Sequence, residues 1–377
     1  MLVLNPFTHD TRVLKEASSL AGAGFDVTVW AIKILGVPAR ERTREFQVKR
    51  FRQSLRSLPI RPPGLVYAET IVKAALHLLQ ERADVYHAHD AKALPACYLA
   101  ARVRKALLIY DAHEFLLSAG GSDWRSRVKS GLWLFLERSL IRYAQEIITV
   151  NVSIAQELTR LYDVEPLVLM NCQEFTDTRR NNVLRQEFSI SKDDRIAIYA
   201  GILAPGRGLE QMIHAARYLD DVVLVLMGPD RLEGKLQKLV RDLGVKDRVK
   251  IRAPVPPEDV AYYVASADIG VTATQAINPS YYYSLENKLL HYVMAGIPAA
   301  VSDHPEKRRL VETYDVCATF DETDPRSIAE TIKSLLRHRH RYRQMCRNAK
   351  EAARAELNWS VEEQKLLNLY RSLQISR

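Results

Sequence analysis

Short apolar runs rich in β-branched residues alternate with stretches of helical periodicity along most of this 377-residue chain. Strands that alternate with helices form parallel sheets with helices on both faces, because each parallel pairing needs a crossover connection. The pattern occurs in two series, which predicts an α/β protein with two doubly wound domains. The first series of predicted strands is Met1–Leu4, Phe25–Ala31, Val85–Ala88, Ala106–Tyr110, Glu146–Val150 and Leu167–Met170, and the second is Ile196–Ala200, Val222–Met227, Val249–Arg252, Ile269–Thr272, Pro298–Ser302 and Val316–Ala318.

A polar, irregular stretch that begins at Asn171, "NCQEFTDTRRNN", separates the two series. We predict one domain over residues 1–173 and a second over 174–359, with the last helix, 360–377, packing back on the first domain. In open α/β sheets, ligands bind beyond the carboxyl ends of the strands. We therefore expect the functional residues in loops that follow strands, in a cleft across which the two domains face each other.

Composition limits the class of protein. Lysine and arginine number 54 against 45 acidic residues, and the net charge of +9 favours an anionic partner. The sequence has no apolar run of about eighteen residues and no basic leader before a long apolar stretch, so we expect neither a membrane span nor a signal peptide. The scattered cysteines are typical of reduced thiols in the cytoplasm rather than of disulfides or zinc sites: Cys97, Cys172, Cys317 and Cys346.

The first candidate site is the glycine-rich stretch "YAGILAPGRGLEQMI", which directly follows a predicted strand. Gly201, Gly206 and Gly208 make the loop tight, and Arg207 lies at the start of the next helix. Backbone N–H groups at a helix N-terminus form an anion site, to which arginine adds a forked donor. The alternative is a glycine turn with a surface arginine.

The second candidate site is "SYYYSLENKLLHYVMAGIPAAVSD", which runs from a tyrosine cluster into a helix. Ser284 is expected to be the N-cap and Glu286 to lie in the first turn. Asn287 and Lys288 would then lie near unsatisfied N–H groups, where lysine can contact a phosphate. The alternative is an ordinary capped helix with an exposed lysine. Together, the two sites predict a clamp on a diphosphate.

As an ordered set, the motifs resemble those of the retaining glycosyltransferases of family 4 (group 1 glycosyltransferases), which have the GT-B fold of two Rossmann-like domains. The resemblance implies a nucleotide-sugar donor, such as a UDP- or GDP-sugar, bound mainly by the C-terminal domain. It also implies a saccharide or lipid-linked acceptor on the N-terminal domain. No DxD-type loop is evident, so we expect metal-independent donor binding. The matching stretches span essentially the whole chain: "HDTRVLKEASSLAGAGFDVTV", "DVYHAHDAKALP", "YDAHE", "YAGILAPGRGLEQMIHA", "SADIGV", "SLENKLLHYVMAGIPAAVSD" and "NWS…LY".

Residue by residue, the resemblance implies that His113 faces the donor sugar while Arg207 and Lys288 contact the diphosphate as catalytic residues. It places acceptor candidates in two N-domain loops. The candidate donor-binding residues are Gly201, Gly208, Tyr283, Ser284, Glu286, Asn287 and His291, and the candidate acceptor-binding residues are Asp10, Arg12, His89 and Asp90.

The chain departs from the family pattern at several positions. Ile202 replaces a usual arginine, the first N-domain loop lacks a glycine pair, and the two glutamates of an E-x7-E motif are Tyr283 and His291. A neutral imidazole is a weaker acceptor for a ribose hydroxyl than a carboxylate. Two alternatives therefore stay open: a non-catalytic sugar-nucleotide-binding subunit of a transferase complex, and a GT-B epimerase.

Two basic stretches indicate peripheral contact with an anionic membrane, at its inner face. Residues 40–61 carry eight basic and two acidic side chains. The alternative is a solvated surface with core aromatics. The basic residues follow no nucleic-acid reader motif, so we expect no nucleic-acid partner. In the second stretch, "DWRSRVKSGLWLFLERSLIRYA", the aromatic residues Trp124, Trp133 and Phe135 are mixed with Arg125, Arg127 and Lys129.

Overall fold

A computed structural model describes residues 1–53, 63–115 and 124–375, apart from the side chains of residues 63, 124–130, 374 and 375. The chain divides into two compact units. The N-terminal unit comprises Met1–Met170 with Glu362–Arg377, and the C-terminal unit comprises Asn171–Val361. The first segment of the N-terminal unit ends at Met170, close to the predicted boundary after residue 173.

The N-terminal unit is a mainly parallel sheet with helical connections. Its strands are β1 (Thr28–Ile32), β2 (Arg40–Arg42), β3 (Gln47–Phe51), β4 (Val85–His89), β5 (Leu107–Ala112), β6 (Glu146–Thr149) and β7 (Leu167–Val168). Its first helices are α1 (Thr11–Gly22), α2 (Pro63–Leu79), α3 (Leu94–Arg104), α4 (Trp124–Leu140) and α5 (Val152–Tyr162).

The strand order of this unit shows its topological switch point, where successive strands change from one side of the sheet to the other. The sheets β2-β3-β1 and β4-β5-β6-β7 are joined by Leu2, which forms single parallel bridges to Trp30 of β1 and Ala88 of β4. The predicted strand Met1–Leu4 is thus reduced to this bridging segment. Strands β1 to β3 lie on one side of the Leu2 segment, and β4 to β7 lie on the other side. This switch point is where an open α/β sheet binds ligands.

The described part of the first basic stretch, residues 40–53, belongs to the sheet of the N-terminal unit. It forms the edge strand β2 and the neighbouring strand β3, which the sequence prediction missed. Arg40 and Arg42 are exposed, and the predicted contact of this stretch with a membrane stays a prediction. Arg50 is buried, and its guanidinium donates to the carbonyls of Pro6 and Pro38, each at 3.0 Å. Lys49 pairs with Glu81. Residues 54–61 lie outside the described residues.

The C-terminal unit is a fully parallel six-stranded sheet in the order β10-β9-β8-β11-β12-β13. Its strands are β8 (Arg195–Ala200), β9 (Val222–Met227), β10 (Val249–Arg252), β11 (Ile269–Thr272), β12 (Ala299–Ser302) and β13 (Cys317–Phe320). Its helices are α6 (Val183–Glu187), α7 (Leu209–Ala215), α8 (Lys235–Asp242), α9 (Val260–Val264), α10 (Pro279–Tyr282), α11 (Asn287–Met294), α12 (Pro305–Tyr314), α13 (Pro325–Arg337) and α14 (Arg339–Ala355).

The core of the C-terminal unit lies on both faces of this sheet. Every residue of β9 is buried, as expected for a parallel strand that helices cover on both sides. The order of the strands reverses between β8 and β11, which places the switch point of this unit at the carboxyl ends of those two strands.

The last helix, α15 (Trp359–Ile375), contains the boundary between the units. Its N-terminal-unit part is fixed by polar contacts. The Glu362 carboxylate accepts a hydrogen bond from the backbone N–H of Met170 at 2.9 Å, and the Tyr370 hydroxyl lies 2.8 Å from Nδ1 of His87. Of the helices that the structure describes, none combines the length and the apolar character that crossing a membrane requires.

Candidate functional site

In the C-terminal unit, loops from neighbouring strands converge at the switch point. Gly208 has a φ of 63°, and a Cβ there would lie 2.0 Å from the carbonyl oxygen of Ala273, in the loop after β11. A Cβ at Gly228, after β9, would lie 2.0 Å from the carbonyl oxygen of Gly201, after β8. Only glycine permits these approaches. The three loops therefore form one compact surface at the carboxyl ends of the central strands.

Arg207 projects from the loop after β8 and stacks on an aromatic ring. Its guanidinium carbon lies 4.5 Å from the ring centroid of Tyr281. Among the described residues, no carboxylate forms an ion pair with it. A guanidinium that stacks through its face keeps its N–H edge available for a forked contact with a phosphate.

Lys288 is the second residue of α11 and is only 8% exposed. Its ammonium lies 4.9 Å from the ring centroid of Tyr199, and a Cβ at Gly201 would lie 3.0 Å from its Cε. Within the described part of the chain, no carboxylate lies within ion-pair distance of this nitrogen. Burial lowers the pKa of Lys288 to about 8, and the positive charge of Arg207 acts in the same direction, against the attraction of Glu286.

We call Arg207 and Lys288 the cation pair. The positive charge of Arg207 is close enough to lower the pKa of Lys288. Other buried cations in the described structure differ, because Lys307 contacts Glu286 at 3.1 Å and Arg12 contacts Asp111 at 2.9 Å. A buried positive charge without a paired carboxylate is costly. The arrangement therefore favours an anionic ligand.

Glu286 is buried beside the cation pair and is paired with Lys307. Burial would raise the pKa of Glu286, but Lys307 and Lys288 together lower it to about 2, so the carboxylate stays ionised. Its Oε2 has no hydrogen-bond partner among the described residues. Glu286 occupies the N-cap position of α11 rather than the first turn, and its side chain makes no capping hydrogen bond. The predicted N-cap, Ser284, instead donates from Oγ to the carbonyl of Tyr281 at 2.8 Å.

A chain of polar groups that the sequence analysis missed supports Glu286. The ammonium of Lys307 is fully buried and lies 3.2 Å from Nδ1 of His304, whose Nε2 lies 3.2 Å from a carboxylate oxygen of Glu322. The only signal in the sequence was a polar segment directly after β12. Each contact in this chain restricts the position of the next group, and thus of Lys307 beside Glu286.

The remaining donor candidates surround α11. Asn287 is exposed, and its side-chain Oδ1 accepts a hydrogen bond from Nδ2 of Asn171 at 3.3 Å. His291 follows Lys288 by three residues, so the two are neighbours on the helix surface. The ring of Tyr283 lies 5.1 Å from that of Tyr282. The roles of these residues in donor binding stay predictions.

In the N-terminal unit, Asp111 is the centre of a buried polar cluster at the end of β5. Arg12 donates to its two oxygens from Nε at 3.0 Å and Nη2 at 2.9 Å, and to the carbonyl of Leu169 at 2.7 Å. Burial would raise the pKa of Asp111, but Arg12 and His113 hold it well below the usual range. The prediction that Arg12 contacts the acceptor is wrong, because its guanidinium is buried and occupied.

His113 follows β5 directly and is partly exposed. Its Nε2 lies 2.8 Å from the Asp111 carboxylate, and its Nδ1 lies 3.8 Å from a carboxylate oxygen of Asp90. Burial would lower the pKa of His113, but Asp111 and Asp90 raise it to about 9. The ring is therefore an imidazolium at neutral pH, with a proton on each nitrogen.

The other acceptor candidates differ in accessibility. His89 is buried, and burial lowers its pKa to about 4, so its predicted contact with an acceptor is also wrong. Asp10 is the N-cap of α1, where its side chain accepts from the backbone N–H of Val13. Asp90 has a left-handed φ of 68° and a half-exposed side chain. Asp90 is thus the acceptor candidate that ligands can reach most readily.

Glu16, His87, His89 and Asp111 offer metal-ligand atoms that all lie within 4.8 Å of one another. The Arg12 guanidinium, however, lies 3.0 Å from Glu16 and occupies both oxygens of Asp111. A divalent cation there would meet this fixed positive charge. Burial and Asp111 raise the pKa of Glu16 to about 8, so a proton on Glu16 supplies the balancing positive charge instead. The arrangement favours a proton over a divalent metal.

The structure thus combines two α/β units with an unpaired cation pair at the switch point of the C-terminal unit. Two family models match this chain: "Glycosyl transferase 4-like domain" over residues 9–170 and "Glycosyl transferases group 1" over residues 181–354. Together they cover nearly the whole sequence. The chain therefore belongs to the group 1 glycosyltransferases, which are sugar-transferring enzymes.

Curated relatives carry compatible names. A D-inositol 3-phosphate glycosyltransferase of Streptomyces scabiei is 27% identical over 43% of this chain and 39% of its own length. One of the same name from Xylanimonas cellulosilytica is 22% identical over 82% of this chain and 77% of its own length. An MMP α-(1→4)-mannosyltransferase of Mycolicibacterium hassiacum is 24% identical over 61% of this chain and 56% of its own length. The matches thus span between two fifths and four fifths of these relatives.

Solved structures confirm the predicted fold. Sucrose-phosphate synthase from Thermosynechococcus elongatus has a TM-score of 0.81 at 16% identity and covers 100% of this chain and 98% of its own. Anabaena HepE in complex with UDP-glucose has a TM-score of 0.72 at 17% identity over 98% of each chain. At this identity the likeness shows the fold alone, which is GT-B with two Rossmann-like domains.

Proposed function

We propose that this enzyme transfers a hexosyl group from a nucleoside diphosphate sugar to an acceptor hydroxyl with retention of anomeric configuration. The observation that carries the proposal is the cation pair, two positive charges without carboxylate partners at the switch point of the C-terminal unit. A diphosphate supplies the negative charge that Arg207 and Lys288 lack within the described protein. Metal-independent donor binding is part of the proposal, because the pair provides the charge that a divalent cation would otherwise supply.

In the proposed reaction, the bond from the anomeric carbon to the diphosphate oxygen breaks and a bond to the acceptor oxygen forms on the same face of the sugar. The acceptor proton passes to the leaving diphosphate, so no protein base is needed. Negative charge develops on the diphosphate as the bond breaks. Fixed donors that face such a charge are a large source of catalysis, and removing one typically costs about 3 kcal/mol. Arg207 and Lys288 have this role.

We assign His113 to the transferred sugar, as the family resemblance implies. Its imidazolium is held through Nε2 by Asp111, and its second N–H is directed to the side of Asp90. Arg12 acts through Asp111 as a positioning residue rather than as a contact to the acceptor. Asp90 is the acceptor candidate retained in this proposal, because its side chain is half-exposed.

The relatives guide the choice of substrates. HepE was solved with UDP and with UDP-glucose, so UDP-sugars are the first donors to test, followed by GDP-sugars. The curated relatives act on an inositol phosphate or are mannosyltransferases by name, which supports saccharide, phosphorylated or lipid-linked acceptors. We propose a role in polysaccharide or glycoconjugate synthesis in the cytoplasm, at the inner face of the membrane. The alternative of a non-catalytic subunit is less favoured, because the relatives are named as transferases.

The proposal is tested by thermal-shift measurements with UDP- and GDP-sugars in the presence of a chelator. A donor at about one hundred times its dissociation constant stabilises the fold by about 2.7 kcal/mol. Arg207→Ala and Lys288→Met should abolish the shift, while the exposed controls Arg241→Ala and Lys235→Met should retain it. Product NMR then reports the anomeric configuration. A shift that persists in both cation-pair variants, or an inverted product, would contradict the proposal.

A further inference from the structure

The surface of the N-terminal unit carries an exposed apolar face that the proposed chemistry does not use. Helix α2 has apolar residues on all sides, and its only charged residues, Glu69 and Lys73, pair with each other at 2.6 Å. Leu65, Val72 and Leu76 are 60%, 55% and 56% exposed. Their spacing of seven and four residues places them on one side of the helix. A helix that is hydrophobic all round is normally buried.

The two neighbouring helices extend this face. Helices α2, α3 and α4 connect β3 to β4, β4 to β5 and β5 to β6 in the same direction across the sheet, so right-handed crossovers place all three on the same side. Helix α3 packs against both of the others, and the Tyr67 ring of α2 lies 5.3 Å from the Trp133 ring of α4. We define the apolar helical face by its exposed members, which are Leu65, Val72, Leu76, Leu99, Val103, Leu132 and Phe135.

This packing also corrects part of the second basic and aromatic prediction. Trp133 is a buried core residue, whereas Phe135 is 66% exposed. The side chains of Trp124, Arg125, Arg127 and Lys129 lie outside the described residues. The surface aromatic in the described part of α4 is therefore Phe135 alone.

The charges beside the apolar helical face are mainly positive, although the exposed Asp84 lines the same surface as Val103 and Arg104. Arg102, Arg104 and Lys105 are exposed at the end of α3, and Arg138 is exposed on α4. Only two carboxylates occur on the three helices: Glu69 is paired with Lys73, and Glu137 is buried against tyrosine hydroxyls. An apolar surface bordered mainly by cations matches the charge of an anionic bilayer.

We propose that the apolar helical face is the surface through which this protein docks on an anionic lipid bilayer. The apolar side chains enter the boundary between headgroups and acyl chains, while the arginines and lysine contact the anionic headgroups. A bilayer explains both features at once. A protein partner or a second copy of the chain would not require a predominance of cations around the apolar area. The inference is independent of the donor site, which lies in the other unit.

The test is co-sedimentation with vesicles of phosphatidylcholine, with and without phosphatidylglycerol, over a range of salt concentrations. We expect sedimentation only with the anionic vesicles, weakening as salt increases. Val72→Gln/Leu76→Gln should weaken binding at least about tenfold, because two half-exposed apolar side chains no longer enter the bilayer. Leu14→Gln is the matched control, since Leu14 is an exposed leucine on α1. The crossover that contains α1 runs in the opposite direction across the sheet, so this helix lies on the other side.

A second variant, Arg102→Glu/Lys105→Glu, leaves the apolar residues in place and should remove the preference for anionic lipid. Donor-induced thermal shifts should be unchanged in all these variants, which separates a failure of this inference from a failure of the proposed function. The inference is overturned if the wild type ignores anionic vesicles, or if both variants sediment like the Leu14→Gln control. It is also overturned if the wild type is a dimer that the α2 variant converts to a monomer without any vesicle binding.

Discussion

Replacing Lys288 tests the central claim on both stability and activity. The pKa of its ammonium falls from 10.5 to about 8, chiefly through burial. This lower pKa corresponds to a cost of roughly 3 kcal/mol for holding the charged ammonium in the folded protein. Without ligand, Lys288→Met should therefore raise the free energy of unfolding at pH 7, by about 1–3 kcal/mol, because the methionine carries no charge to desolvate.

The same substitution should lower turnover at least about a hundredfold, since it removes one donor to the leaving diphosphate. In the wild type, donor binding requires the ammonium, so kcat/KM for the donor should be constant below pH 8 and fall as pH rises through the pKa of about 8 of the ligand-free protein. A bound diphosphate restores the pKa toward its ordinary value, so donor binding should take up a proton between pH 8 and 10.5. Lys288→Arg keeps its charge throughout this range and should lose the alkaline decline.

The assay is kcat/KM for the donor against pH, combined with urea unfolding of the ligand-free variants and with Lys235→Met as the exposed control. A Lys288→Met protein that is both less stable and nearly fully active would refute the reasoning. An alkaline decline in Lys288→Arg identical to that of the wild type would also refute it, because another group would then be titrating.

Other predictions concern residues around the two clusters. Arg207→Ala should reduce turnover at least about a hundredfold in steady-state assays, while Arg241→Ala should not. Asp111→Asn should cost about 3–5 kcal/mol in urea unfolding because it leaves Arg12 buried without its carboxylate, and the NMR-measured pKa of His113 should fall from about 9 toward its ordinary value. Gly208→Ala should lower donor affinity in thermal-shift titrations, because its Cβ would lie 2.0 Å from the carbonyl oxygen of Ala273.

The sequence was sufficient to predict the fold because the signal is long and regular. Continuous apolar strands such as β9 are recognisable from composition alone, and the family motifs occur in order. The strands β2 and β3 were missed because their many basic residues interrupt the apolar pattern that identifies a strand. Arg50, for example, is buried only because distant backbone carbonyls accept its hydrogen bonds. Such long-range contacts are not visible in local periodicity.

Part of the candidate site was predictable from local sequence patterns. Glycines and cations in loops after strands indicated the loop after β8 and the start of α11. Whether a charged residue is free or paired depends on its neighbours in space, which the sequence does not display. Arg12 and His89 were assigned to an acceptor on their loop positions, but the Asp111 carboxylate at the end of β5 holds both inside the unit.

The use of Glu286 illustrates how pairing decides function in this unit. The carboxylate lies near two lysines, and both lower its pKa, yet only Lys307 forms the ion pair, at 3.1 Å. Lys307 is itself fixed by His304, so the pair cannot easily exchange partners. Had Glu286 paired with Lys288 instead, the ammonium would be neutralised and an incoming diphosphate would have to displace a carboxylate. Because Lys307 engages the carboxylate, Lys288 keeps a positive charge that a ligand can neutralise, while Glu286 still offsets part of the cost of burying it.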